Sequence, residues 1–396
     1  MRILFVIPYY KPSPGGVERV IDRFSAQLLL HNDIERVGVL TSRAYHPERR
    51  ILTNLPAYEN DNGVEIYRCT FSPADIPRVL HADIAGYVSR EAFKIVHRFK
   101  PDVLHFTSLY WWAVNASLQV YSPNSAQIMS TFYHPIAKVR RAIPYRFFNR
   151  RSLRSMNAVH VLSAVERSQI HEDFNVPMER IAIIPPGIDS SPTIPQRSGR
   201  KTVKILAVGR LQEAKGQLAL VQIFARLYRE LSDTAIYLHL VGKDAGAGQD
   251  IRVMVSNYGL EAAITIEEYC SDSRLADLYA EADIFALPTT YESYGLVFFE
   301  AMARALPVVT YGVGPVPSLL TEGALVVPPY DAQAFFSALK YLITNPQERL
   351  RLGEAGSQLV SQHHSWSVAG EQLHRLYIDS RSKPMGLRAR ATLWRG

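Results

Sequence analysis

The sequence holds little of what would announce a stapled, metal-built or membrane-embedded protein. Its 396 residues include two cysteines, Cys69 and Cys270, far apart and in no C-x-x-C or Cys/His cluster. Neither a disulfide framework nor a zinc site has its ligands, so both thiols read as core residues of a protein kept in a reducing cytoplasm. Long apolar runs are missing too. After Met1-Arg2 only Ile3 to Ile7 are apolar before Pro8 interrupts, which is too short for the core of a secretory signal. The apolar stretch from Leu296 to Val309 contains Glu300 and Arg304. Nothing therefore approaches the roughly 20 apolar residues of a membrane helix. A composition 47% hydrophobic and 20% charged excludes disorder.

Acidic residues are scarce in one region. Residues 1–200 hold 25 Lys/Arg against 17 Asp/Glu, the remainder 19 against 20, and no acid lies between Asp102 and Glu166. In that gap Lys138, Arg140, Arg141, Arg146, Arg150, Arg151 and Arg154 gather, interleaved with Ile143, Tyr145, Phe147 and Phe148. One face of the first half should attract anions. A solvated basic loop, a basic acceptor pocket and a docking surface for anionic lipid all fit. Nucleic acid is not expected as a partner, since the run belongs to no recognised binding module.

What is present is a twice-repeated alternation of short β-branched runs with longer amphipathic segments, the mark of βαβ units around a parallel sheet. The first half predicts strands at 3–7, 37–40, 103–106, 127–131, 158–162 and 181–184, and helices at 16–30, 84–99, 111–121 and 163–173. The second predicts strands at 204–208, 236–241, 264–266, 284–287, 308–310 and 325–327, with helices at 215–231, 272–281, 296–304, 332–344 and 347–362. The polar, Ser/Pro-rich stretch between them reads as a linker. The expected organisation is a first domain over 1–187, a linker over 188–201 and a second domain over 202–365. A last helix, in 366–396, would cross back onto the first domain. In doubly wound sheets ligands bind beyond the carboxyl ends of the strands, here in a cleft between two such domains.

Three loops at those ends carry chemistry. Gly15-Gly16 opens the first helix, where residues without side chains let backbone N–H groups approach an anion; a tight turn is the plainer reading. It is not a dinucleotide fingerprint, because G-x-G-x-x-G is absent. In Val208-Gly209-Arg210-Leu-Gln-Glu-Ala-Lys215-Gly216, a planar fork and a compact ammonium follow one strand, a pair suited to a diphosphate. In Leu287-Pro-Thr-Thr-Tyr-Glu292-Ser-Tyr-Gly295-Leu-Val-Phe-Phe-Glu300-Ala-Met-Ala, one carboxylate sits at a strand exit and a second inside an apolar helix, where it is costly without a partner. His363-His364 reads as a surface pair near a helix end, and Tyr110-Trp111-Trp112 as an acceptor platform or a buried helix start.

Taken in order, the Gly15-Gly16 loop, V-G-R-L-x-x-x-K-G and E-x7-E running into E-A-M-A-x-x-x-P-V-V resemble the family 4 retaining glycosyltransferases, from Met1 to about residue 378. The resemblance implies an α/β protein of the GT-B fold, with two Rossmann-like domains facing a central cleft. It assigns Arg210 and Lys215 to the donor diphosphate, Glu292 to the transferred sugar and Glu300 to the nucleotide ribose. Backbone contacts come from Gly295, Leu296 and Val297, and Gly15 and Gly16 face the diphosphate from the other domain. His134 matches the family histidine beside the sugar, and Tyr269-Cys270 the segment lining the base. Glu268 stands where the family often has Gly, Ser293 for Gly or Ala, Ala305 for Gly, Pro186 for Asn and Ser318 for Glu; these departures bear on donor choice.

The activity so implied is transfer of a hexose-type sugar, with retention, from a UDP- or GDP-linked donor to a hydroxyl of a glycan or lipid-linked acceptor. Glycolipid, lipopolysaccharide or exopolysaccharide assembly is the expected setting. No metal is expected, because Arg and Lys replace a divalent ion in this type. The expected location is the cytoplasm, peripheral on an anionic membrane face. An inverting GT-B enzyme with His134 as base, and a non-catalytic sugar-nucleotide-binding protein, are the rival readings.

Overall fold

The computed structural model describes residues 1–13, 15–45, 50–52, 54–69, 90–109, 117, 124–133, 143–189 and 202–382. They divide into two compact units, one of Met1–Gly187 with Trp366–Gly396, the other of Ile188–Ser365. In chain order the first contains β1 (Arg2–Val6), α1 (Gly16–Leu28), β2 (Arg36–Ser42), β3 (Ala44–Tyr45), β4 (Arg50–Ile51), β5 (Tyr58–Asp61), β6 (Val64–Cys69), α2 (Arg90–Phe99), β7 (Val103–Thr107), β8 (Ala126–Ser130), α3 (Ile143–Ser155), β9 (Ala158–Val161), α4 (Ala164–Phe174) and β10 (Ile181–Ile183). The second contains β11 (Thr202–Val208), α5 (Gln217–Glu230), β12 (Ala235–Val241), α6 (Gly248–Asn257), β13 (Ile264–Glu267), α7 (Asp272–Glu281), β14 (Ile284–Leu287), α8 (Leu296–Met302), β15 (Val308–Tyr311), α9 (Val316–Leu319), β16 (Ala324–Val327), α10 (Ala332–Thr344) and α11 (Pro346–His363). Helix α12 (Trp366–Ser382) returns to the first unit.

The first sheet runs β10-β9-β8-β7-β1-β2-β6-β5, parallel except for β5 against β6. The second runs β13-β12-β11-β14-β15-β16 and is parallel throughout. Central strands such as β7, β8, β14 and β15 are buried along their whole length, as strands covered by helices on both faces must be.

Most predicted elements are present within a residue or two, but the sequence reading missed several. The β5–β6 hairpin turns at Asn62-Gly63, both at positive φ (51° and 89°), as a two-residue hairpin turn of this hand requires. Helices α3, α6 and α9 were not anticipated. The basic stretch is thus no loop where it is described, since residues 143–155 form α3. The linker segment 190–201 and the predicted helix at 111–121, apart from Ser117, lie outside the described residues, as does the predicted helix at 84–99 before residue 90.

Helix α12 packs on α1 and on the sheet. Trp366 meets Phe24 edge-on (5.6 Å between centroids), and Gln27 fills the space a Cβ on Gly370 would need. The phenol of Tyr377 joins a buried polar row: Tyr377 OH to His105 Nδ1, His105 Nε2 to Ser130 Oγ, and Ser130 Oγ to His160 Nδ1, each 2.6 Å. His160 Nε2 ends the row on the carbonyl of Ile184 at 2.8 Å. Burial pushes His160 down to about 4 and His105 well below its ordinary value, so both rings are neutral links joining β7, β8 and β9 to α12.

Candidate active site

The charged loops of the second unit are built by two close backbone approaches. Gln217, buried at the start of α5, donates from Nε2 to the carbonyls of Gly209 (3.1 Å) and Arg210 (2.9 Å), fixing the turn after β11 and leaving Arg210 exposed. Gly216, at φ +73°, then lies against Pro288, and a Cβ there would stand 2.1 Å from the Pro288 carbonyl oxygen, so only glycine fits. That approach docks the Lys215 loop on the loop leaving β14. Thr289 Oγ1 (3.0 Å) and Thr290 N (2.9 Å) both donate to the carbonyl of Ala214. The consequence is an ion pair 2.5 Å long between Lys215 Nζ and Glu292 Oε1, with the Glu292 side chain only 7% exposed.

Helix α8 is capped at its start by Gly295, whose φ of +89° and proximity to the Phe298 ring (2.6 Å from a hypothetical Cβ) again admit only glycine. Leu296 and Val297 are half-buried in its first turn. Glu300, one turn on, is half-buried and has partners: Tyr279 OH donates to Oε2 at 3.1 Å, and Arg304 lies over the Tyr279 ring and donates to the Glu300 carbonyl. In the loop after β13, Tyr269 is 89% exposed. Cys270 is half-buried and not a core residue, a correction to the sequence reading; burial, then Glu267, pushes its thiol up. Glu268 ion-pairs with Arg252 of α6.

In the first unit Gly15 and Gly16 are exposed at the start of α1, but the carboxyl of Glu18 folds over Gly15, into the space a Cβ there would take. Burial pushes Glu18 up to about 7, against a hydrogen bond from its own backbone N–H. The N-terminus of α1 therefore already carries an acidic group of its own. His134 lies outside the described residues, as do Lys138, Arg140, Arg141 and Tyr110-Trp111-Trp112. The residues just before His134 are held by buried Glu166, whose carboxylate accepts from Thr131 Oγ1 (2.5 Å), Tyr133 N (2.7 Å) and Leu162 N (2.8 Å). The sequence reading missed Glu166, although Ser163-x-x-Glu166 is a capping-box pattern whose N-cap bond, Glu166 N–H to Ser163 Oγ, is formed. It missed Gln217 and Thr289 as well, which no motif marks.

Helix α3 sorts its side chains. Asn149, Ser152 and Leu153 are buried, while Arg146, Phe147, Arg150, Arg151 and Arg154 are exposed, a spacing that places all four cations and the 61%-exposed Phe147 on one face. One cation has an acidic neighbour after all: Arg146 Nη2 donates to the Asp173 carbonyl at 3.1 Å and lies 3.9 Å from its carboxylate. Elsewhere in this unit His31, Glu371 and His374 come together, with Asp33 2.9 Å from His374 Nε2. The two imidazoles stack at 4.1 Å with 23° between planes. Lone pairs lying in near-parallel planes do not converge on one ion, so the group reads as a clasp between the turn after α1 and α12.

Residues 15–187 match the family described as "Glycosyl transferase 4-like domain", and residues 191–359 that described as "Glycosyl transferases group 1". The D-inositol 3-phosphate glycosyltransferase of Corynebacterium urealyticum is 26% identical over 82% of this chain and 83% of its own length. Among solved structures, sucrose-phosphate synthase from Thermosynechococcus elongatus superposes with a TM-score of 0.77 at 22% identity, covering 95% of this chain and 98% of that one. HepE of Anabaena, solved in complex with UDP and glucose, superposes with a TM-score of 0.71 at 16% identity, covering 95% and 98%.

Proposed function

Because the chain belongs to the glycosyltransferases of the GT-B fold, its first domain 4-like and its second of group 1, we propose that it moves a hexose-type sugar from a nucleoside-diphosphate donor to an acceptor hydroxyl with retention of configuration. The observation that carries the reading is the Lys215–Glu292 pair. In a glycosyl diphosphate the anomeric carbon is bonded directly to a phosphate oxygen, so a cation for phosphate and a carboxylate for sugar hydroxyls must stand side by side, as these do.

In this reading Arg210 and Lys215 hold the diphosphate and take the place of a divalent ion. Glu292 accepts from the sugar hydroxyls, the first turn of α8 (Gly295, Leu296, Val297) faces phosphate, and Glu300 holds the ribose. Tyr269 and Cys270 border the base, while His134 and the Gly15-Gly16 loop belong to the sugar and diphosphate side of the first domain. The acceptor oxygen bonds to the anomeric carbon as the bond to the diphosphate oxygen breaks, and the acceptor proton passes to that oxygen on the same face. Negative charge grows on the leaving group, so the two cations act most strongly in the transition state. The basic face of α3 makes a lipid-linked acceptor at a cytoplasmic membrane surface the favoured setting.

A thermal-shift panel of UDP, GDP and ADP identifies the donor base, since a ligand at 100 times its dissociation constant stabilises the fold by about 2.7 kcal/mol. NMR of the product's anomeric proton then separates retention from inversion. An inverted product would return His134 to the role of base, and the absence of any nucleotide-dependent shift or transfer would remove the proposal.

A further inference from the structure

The His363-His364 pair is not a surface pair. His363 is exposed, but His364, the C-cap of α11, is 8% exposed, its backbone fixed by its N–H bond to the Val360 carbonyl and by the Ile188 N–H (2.7 Å) on its own carbonyl. Its ring enters a cluster of three: 4.3 Å from Phe299 of α8 and edge-on to Tyr294, which itself stacks on Phe299 at 5.2 Å. One polar bond runs through the cluster, 3.0 Å between Tyr294 OH and His364 Nδ1. Both groups are buried, so the phenol's partner in the fold is this imidazole and not bulk water. Burial, with His363 adding to it, pushes His364 down to about 4, and burial pushes Tyr294 up, so at neutral pH the bond joins an uncharged ring to an intact phenol.

Tyr294 stands two residues after Glu292 and directly before Gly295, inside the loop the donor is read to engage. That loop is tied at two places. Its start is fixed to the Lys215 loop through Thr289 and Thr290 on Ala214. Its end is fixed through Tyr294 to the end of α11. Between them the Glu292 carbonyl abuts Gly314, whose Cβ would lie 2.8 Å away, so the backbone there has little room to shift without losing its aim.

We propose that His364 is a positioning residue for donor binding, holding Tyr294 so that Glu292 and the first turn of α8 keep the arrangement the donor meets. The inference rests on the assignment of those residues to the donor.

The test uses the whole chain with Tyr294→Phe, His364→Phe and His364→Asn. Tyr294→Phe removes only the hydroxyl, and His364→Phe keeps an aromatic ring against Phe299. The Asn side chain places a hydrogen-bonding atom where Nδ1 was. Calorimetry with whichever of UDP, GDP and ADP wild type binds, and donor KM and kcat, are read beside the melting temperature. Loss of the bond should impair donor use, as KM or kcat, about tenfold in both Phe variants. Their double variant should be no worse than either alone, because each breaks the same bond, and His364→Asn should return to within about threefold of wild type. Phe variants that handle the donor like wild type, effects that simply add in the double variant, or a His364→Asn protein as impaired as His364→Phe would each overturn the inference while leaving the donor assignment standing. Wild type that binds none of the three nucleotides would remove both.

Discussion

Lys215 Nζ and Glu292 Oε1 stand 2.5 Å apart, with the carboxylate almost wholly shielded from solvent, so each is the other's counter-charge before any substrate arrives. The family resemblance gives them different ligands. Both assignments hold if the ammonium is shared between the carboxylate and the diphosphate, but the pairing changes what a mutation does. Lys215→Ala strands a buried charge and should cost the fold about 1–3 kcal/mol as well as activity. Adding Glu292→Gln should restore much of that stability and none of the turnover. Denaturant unfolding of the two single variants and the double checks it; strictly additive losses would mean that the pair is not coupled.

Arg210 offers the contrast. It is exposed, and its backbone is fixed by Gln217 independently of its guanidinium. Arg210→Ala should leave the unfolding midpoint unchanged and lower turnover about 100-fold, the cost of losing one donor that acts on leaving-group charge, on the order of 3 kcal/mol. Near-normal transfer would remove Arg210 from the mechanism.

The two carboxylates should separate in binding. Glu300→Gln is expected to weaken affinity for the free nucleoside diphosphate by about tenfold, as loss of a hydrogen bond to a charged group does. Glu292→Gln should leave that affinity nearer to normal and impair use of the sugar. Calorimetry distinguishes them, and equal losses would mean that the roles are misassigned.

Much of the fold was legible in the sequence because parallel sheets write themselves as short, wholly apolar runs, and the loops that resemble the family's lie where those runs end. Gly216 and Gly295 stand in those loops, although the positive φ and close neighbour that make each a glycine show only in the structure. What stayed hidden depends on contacts between distant segments. Nothing local distinguishes Gln217 as the residue that fixes the Arg210 turn, or His364 as buried when His363 beside it is not. The β5–β6 hairpin is a different failure, since Asn62-Gly63 between two β-rich runs announces it. Ala305 is instructive too: it stands where the resembled family commonly has Gly, and its φ of +54° lies in the left-handed region that favours glycine.

Glu18 predicts a pH dependence at the start of α1. Its carboxyl is pushed up to about 7 by burial, above its ordinary 4.5, so the folded chain holds this proton more tightly than the unfolded one. The associated stability is fully present below about 4.5 and is lost as pH rises through 7. Glu18→Gln, neutral at every pH, should therefore match wild type near pH 5 and exceed it at pH 8.5, by about 1–3 kcal/mol in unfolding free energy. A stability difference that does not change between these pH values would show that Glu18 ionises normally.

The exposed face of α3 is suited to an anionic lipid surface. Arg146, Arg150, Arg151 and Arg154 share it with Phe147, so cations and an aromatic ring would meet a flat surface together. Near an anionic bilayer each such charge is worth about 1 kcal/mol before screening, which falls off over roughly 10 Å at 0.1 M salt. Arg146 spends part of its capacity on the Asp173 carbonyl, so Arg150 and Arg151 should matter more. Co-sedimentation with vesicles containing phosphatidylglycerol is expected to exceed that with phosphatidylcholine alone, to fall at high salt, and to fall again when Arg150 and Arg151 become Ser. Phe147→Ser should weaken binding even at high salt, because the ring's contribution is apolar and unscreened. If binding is absent, or is indifferent to salt and to these substitutions, the face does not dock on lipid and its charge serves a soluble acceptor.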